Sequence, residues 1–356
     1  MSHSSHKTAK ASGGSEYLLD LNKKHSLLFT EPGAALERRR YRAAHPTEIA
    51  FIKCTDGRVH GPVMTETPLG IIQPWRNLGG KFDLGWFGFA QSMRDWVDYS
   101  VRHGRNCLVA VTYHYARGDA HRGCRGFNYD VEAARASMAE LKKQFDRVFG
   151  KKVVYAILVG VETDWESLVL HGEDGKTVDL VELADQSEHA IEKLIRTLYP
   201  DMPERIQLDL LPLIQGNIRH AGRTKHSDRS VTVSEHQEWV LGVGRGFDWL
   251  HETNTALIVG PFDPHLSQAI ATAATLIKGN IDEKRIVVGP GKGIVLLSSA
   301  PYRDAAGPER LLAEEKAKFL NRFSMDIIRS SVPELMEHVE QLTVTVDLHT
   351  RKIDVI

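Results

Sequence analysis

Two short apolar runs with a long amphipathic segment between them constrain this chain more than any other feature. Asn106–Tyr115 (NCLVAVTYHY) and the run from Val153 to Val161 are rich in β-branched and aromatic residues and carry almost no charge. Runs of that length and composition fit strands buried on both faces. Between them, the stretch from Tyr129 to Phe149 places apolar residues at helical spacing. Strand, helix and strand in that order imply an α/β fold, with a largely parallel sheet flanked by helices. In such sheets ligands gather at the carboxyl ends of the strands. Cys54, which follows the short apolar run Ile49–Lys53, and His114 both occupy ends of that kind.

The remaining chain is read around this frame. Residues 1–14 are polar and read as a disordered tail. Ser15–Ala44 reads as one or two helices exposing Arg38, Arg39 and Arg40, closed by Pro46, so residues 15–45 form a helical arm. Gly61, Pro62, Pro68 and Gly70 make the next stretch a loop that runs to Trp75-Arg76-Asn77-Leu78-Gly79-Gly80. Phe87–Arg102 has helical periodicity and ends near Gly104. The second half repeats this order. Glu238–Leu250 (EWVLGVGRGFDWL) reads as strand, glycine turn and helix start, Leu266–Lys278 as a helix, and Ile294–Leu320 as strand, tyrosine, polar loop and charged helix. The closing TVTVDLHTRKIDVI supplies strands corresponding to Val153–Leu170. The expected organisation is a metal-bearing domain over 46–200 and a degenerate copy over 201–356. All three cysteines lie in the first half, so only that half can hold a thiolate site.

Composition excludes several classes. An apolar content of 42% with 26% charged residues fits a globular protein, and a net charge of −1 without a basic stripe argues against nucleic acid. No apolar stretch reaches the roughly 18 residues of a membrane span, and the first residues lack the apolar core of a secretory signal. Three cysteines make no disulfide framework, so a reducing cytoplasm is the expected location.

The chemistry-bearing residues cluster around a metal reading. A catalytic zinc site needs about three protein ligands and one open position. Cys54 and Cys124 supply two thiolates, Cys124 at an expected helix start, while Cys107 reads as a small hydrophobe. The third ligand is His114, rigid at its strand end, or His121, in the compact His121-x-x-Cys124 spacing. Gly242-Val243-Gly244-Arg245-Gly246 brings its third glycine one residue too early for a dinucleotide fingerprint, and Gly289-Pro290-Gly291-Lys292-Gly293 lacks the Ser/Thr of a phosphate loop. A thiol redox pair of Cys54 and Cys124 lacks the C-x-x-C spacing.

Cys54 comes as Cys54-Thr55-Asp56-Gly57-Arg58, followed in order by RNLGG (Arg76–Gly80), VTYHY and HRGC. Here the chain resembles the β-carbonic anhydrases, whose pattern is C-x-D-x-R, an R-N-x-G segment, a strand-end histidine and a nearby cysteine. It looks most like their divergent carboxysomal shell branch over roughly residues 49–356, including LVGVETDWESLVLHG and EHQEWVLGVGRGF. The longer histidine-to-cysteine gap of that branch supports His114, and its pairing of an active domain with a metal-free copy matches the order above. The resemblance implies zinc on Cys54, His114 and Cys124, an Asp56–Arg58 dyad, and hydration of CO2 to bicarbonate by zinc-bound hydroxide. His60, His103, His121 and His236 are candidate proton relays. It also implies a homodimer or higher oligomer, and association with a carboxysome shell or rubisco. The branch, however, carries a long N-terminal region where this chain has about 45 residues. A catalytically inactive carbonic anhydrase-like binding or regulatory module is the alternative.

Overall fold

The computed structural model describes residues 13–227, 235–286 and 293–356. Most of the expected tail therefore lies outside the described residues, and Gly14 already opens helix α1 (Gly14–Thr30). Pro32 starts α2 (Pro32–Ala44), as befits a residue with no N–H to satisfy in a first helical turn.

Six strands form the first sheet: β1 (Glu48–Cys54), β2 (Ile72–Asn77), β3 (Cys107–Tyr115), β4 (Val154–Glu162), β5 (Ser167–His171) and β6 (Thr177–Asp179). Their order is β2-β1-β3-β4-β5-β6, with β1 to β4 parallel and β5 and β6 added antiparallel. The connecting helices are α3 (Gly61–Met64), α4 (Phe87–Arg102), α5 (Val131–Phe149), α6 (Glu188–Leu198) and α7 (Glu204–Lys225). Side chains alternate across the pleat. Val109, Val111 and Tyr113 pack with Phe89, Met93 and Phe145 on α4 and α5, while Leu108 and Ala110 face the side covered by α6 and α7.

The second sheet holds β7 (Val240–Gly244), β8 (Ala256–Val259), β9 (Ile294–Tyr302), β10 (Val339–Asp347) and β11 (Ile353–Val355), in the order β8-β7-β9-β10-β11. Again the first four are parallel and the last is an antiparallel hairpin partner. One face is covered by α8 (Leu266–Asp282) and α9 (Pro308–Ser331). Leu18 and Leu21 of α1 pack on the other, whereas Tyr41 of α2 packs against the core of the first sheet, so the N-terminal arm touches both.

The structure departs from the sequence reading at three places along these elements. The stretch ending at Asn77, expected as loop, contains β2; Pro74 is tolerated because β2 is an edge strand. No helix starts after Gly246; residues 247–250 form a turn closed by Leu250 N–H to Phe247 O. Helix α7, placed beyond the boundary at 200, packs on the first sheet through Ile206, Leu210, Ile214 and Ile218. The glycine run 289–293 lies almost wholly outside the described residues.

The sheets meet where edge strand β2 approaches edge strand β8. Ile258 N–H donates to Thr55 O at 3.0 Å, Asn254 N–H to Gly57 O at 3.2 Å and Gly260 N–H to Arg76 O at 3.0 Å. The loop after Cys54 is thus bonded, backbone to backbone, to the second half. No helix among the described residues is long and apolar enough to cross a membrane.

Candidate metal centre

Cys54 is the last residue of β1 and His114 the penultimate residue of β3, the adjacent parallel strand, so both project from the carboxyl edge of one sheet. Cys124 lies between two short 3-10 turns, Ala120–Arg122 and Arg125–Phe127. A three-residue turn replaces the helix start expected there, and it has no appreciable dipole to stabilise a thiolate. What holds the Cys124 loop is close approach: a Cβ on Gly126 would fall 2.6 Å from Gly79 Cα. Gly80, at φ +69°, likewise packs the RNLGG segment against the backbone N of Cys54 and the carbonyl of Thr112.

The ligand atoms of Cys54, His114 and Cys124 lie within 4.8 Å of one another, all three residues are buried, and the group could hold a metal ion. The sulfurs are 3.9 Å apart. The hydrogen bond with Cys124 and the nearby His114 outweigh burial and hold the Cys54 thiol well below its usual range, whereas the same bond and burial push Cys124 up. Both ring nitrogens of His114 are buried without a hydrogen-bond partner among the described residues. His121 lies outside this group. Its side chain is 83% exposed, 3.4 Å from Asp119.

Asp56 and Arg58 stand beside the cluster as a bidentate pair. Asp56 Oδ1 accepts from the Arg58 backbone N–H at 2.8 Å and from Nε at 3.1 Å, and Oδ2 accepts from Nη2 at 2.7 Å. Burial would raise the Asp56 carboxyl, but Arg58, then His114 and His236, overcome it and hold the group well below the usual carboxylate range. Burial opposes the Arg58 charge, yet Asp56 holds the guanidinium protonated above its usual range. Asp56 Oδ2 lies 3.8 Å from His114 Nε2, facing the cluster.

The second half reaches into this site. Arg58 Nη2 donates to His236 Nε2 at 3.1 Å, and His236 Nδ1 faces Glu238 Oε2 at 3.0 Å. Burial opposes the His236 charge, but Glu238 outweighs it and raises the imidazole above its usual range. Asp56, His236 and Glu238 also have a metal-compatible spacing, but Arg58 holds both Asp56 oxygens and one imidazole nitrogen. Its positive charge leaves that group unsuited to a cation. The sequence reading named His236 only as one relay among four and missed Glu238; the signal was His-x-Glu just ahead of a buried strand. Of the other relay candidates, His103 is exposed and bonded to Tyr99 O, and buried His60 faces His251. No family model and no curated protein matches the chain.

Proposed function

We propose that this chain is a zinc-dependent carbonic anhydrase of the β type, converting CO2 and water to bicarbonate and a proton. The observation that carries the reading is the Asp56–Arg58 pair set 3.8 Å from His114 in a buried Cys–His–Cys group. The donor set fits zinc. Two thiolates at about 2.3 Å from a tetrahedral ion sit about 3.8 Å apart, close to the observed 3.9 Å, and two unpartnered imidazole nitrogens leave His114 free to ligate.

When bound, the ion supplies Lewis acidity that brings the ionisation of water toward neutral pH. Asp56, held ionised by Arg58, only accepts hydrogen bonds. It would therefore accept the hydrogen bond of the attacking hydroxide, whose proton stays on oxygen, and orient that oxygen's lone pair toward CO2. Arg58 fixes both Asp56 oxygens, and His236 with Glu238 fixes Arg58, so the acceptor keeps one orientation between turnovers.

The second half supports the same reading as a degenerate copy. Its five strands follow the order β8-β7-β9-β10-β11, as β2-β1-β3-β4-β5 do in the first. Where β1 ends in Cys54, β7 ends in Gly244, and a Cβ there would fall 1.9 Å from Ser299 O. No ligating side chain fits at that strand end.

Stopped-flow CO2 hydration by the zinc-loaded chain tests the proposal. Asp56→Asn keeps the metal and lowers kcat at least about a hundredfold. Zinc-loaded protein with no hydration above background would instead establish an inactive binding module.

A further inference from the structure

A roomy cavity lies away from the cysteine cluster. It has a volume of about 450 Å³, and Cys54, His114 and Cys124 do not line it. It opens on the seam between the two sheets and gathers arginines from six separate places: Arg42 on α2, Arg76 on β2, Arg105 before β3, Arg245 after β7, Arg303 after β9 and Arg351 between β10 and β11.

Two of these are neutralised. Arg105 pairs with Glu48, and Arg351 Nε lies 2.8 Å from Asp248 Oδ2. The other four have no carboxylate partner among the described residues. Arg42 donates only to the carbonyl of Gly70, and Arg245 lies over the Trp75 ring at 5.6 Å and near that of Phe262 at 5.5 Å. Arg76 is the most informative. It is 91% buried, lines the cavity, and its Nε has no hydrogen-bond partner. Burial pulls its guanidinium down to about 10 against the opposing pull of Asp248. A buried, incompletely bonded cation destabilises the fold unless something supplies the missing charge.

We infer that this cavity binds a small, multiply charged phosphorylated molecule. A phosphate group brings up to two negative charges and three acceptor oxygens, and guanidinium forks bind it bidentately. Carboxylates would need one group for every arginine. The volume falls in the range of small-molecule sites, roughly 300–1,000 Å³, larger than a bare phosphate needs. Because the arginines converge on a recess from both halves, the ligand is a discrete soluble molecule, not an extended backbone.

Isothermal titration of the full chain with pyrophosphate, at constant ionic strength of about 0.15 M, tests this. Saturable one-to-one binding is expected, tighter than that of inorganic phosphate. Arg245→Gln and Arg303→Gln, both at exposed positions, each weaken it at least tenfold, while Lys318→Gln, on α9 and outside the cavity lining, leaves it unchanged. Circular dichroism verifies that the variants fold. No saturable binding, or binding equally strong in both arginine variants, overturns the inference. The readout is binding, so it stands or falls independently of CO2 hydration.

Discussion

Neither buried ring nitrogen of His114 has a hydrogen-bond partner among the described residues, a cost of about 1–3 kcal/mol per group, and a metal bond would offset it at one of the two. Replacing His114 is therefore expected to cost the site its ion. His114→Ala should hold less than a tenth of the wild-type metal by elemental analysis, and His121→Ala should hold the full complement; the reverse pattern would make His121 the ligand. Spacing alone left this choice open. Cys54, Asp56 and Arg58 were readable because they lie on one local turn, where two-residue steps set the geometry. The histidine is selected by how the loop between β3 and α5 folds, which spacing does not encode. His236 lies 178 residues from Arg58, so only the meeting of the halves reveals it.

At the scale of elements, apolar continuity made β1, β3, β4, β9 and β10 readable, and helical periodicity did the same for α4, α5, α8 and α9. β2 was hidden because glycine and proline, which usually mark loops, are compatible with an edge strand. Helix α7 shows what holds a crossover element in place. Asn217, fully buried, donates from Nδ2 to Met64 O at 3.0 Å and Glu166 O at 2.9 Å, and accepts from Leu168 N–H at 2.8 Å. One side chain thus ties α7 to α3 and to the start of β5. Asn217→Ala leaves three buried backbone groups unsatisfied, so it should lower unfolding free energy by about 2–4 kcal/mol. Denaturant melts would measure this, and a loss below about 0.5 kcal/mol would show that water replaces the amide.

For the whole molecule, the join between the halves has its own pH dependence. His60 Nε2 lies 3.2 Å from His251 Nδ1 across that join. Burial, then His25, and beyond the pull of Asp248 also Arg76 and Arg351, bring His251 down to about 3; burial, then His251, Lys53 and Arg76, hold His60 well below its usual value. Both are neutral in the fold and titrate near 6.5 once unfolded. Their contribution to stability is therefore complete above about pH 6.5 and declines as pH falls toward the folded value. Unfolding free energies between pH 6.5 and 4.5 should fall steeply, and His251→Asn should flatten the slope by up to about 1.4 kcal/mol per pH unit. An unchanged slope would place the acid sensitivity elsewhere.

The backbone bonds from Thr55, Gly57 and Arg76 to residues 254–260 also order events in time. When Cys54 leaves the ribosome, the strand that anchors its loop is roughly 200 residues away, on the order of 10–40 s of synthesis. Until β8 emerges, the loop that carries Asp56 and Arg58 has no backbone tether on that side, so it reaches its anchored geometry only once β8 has been made.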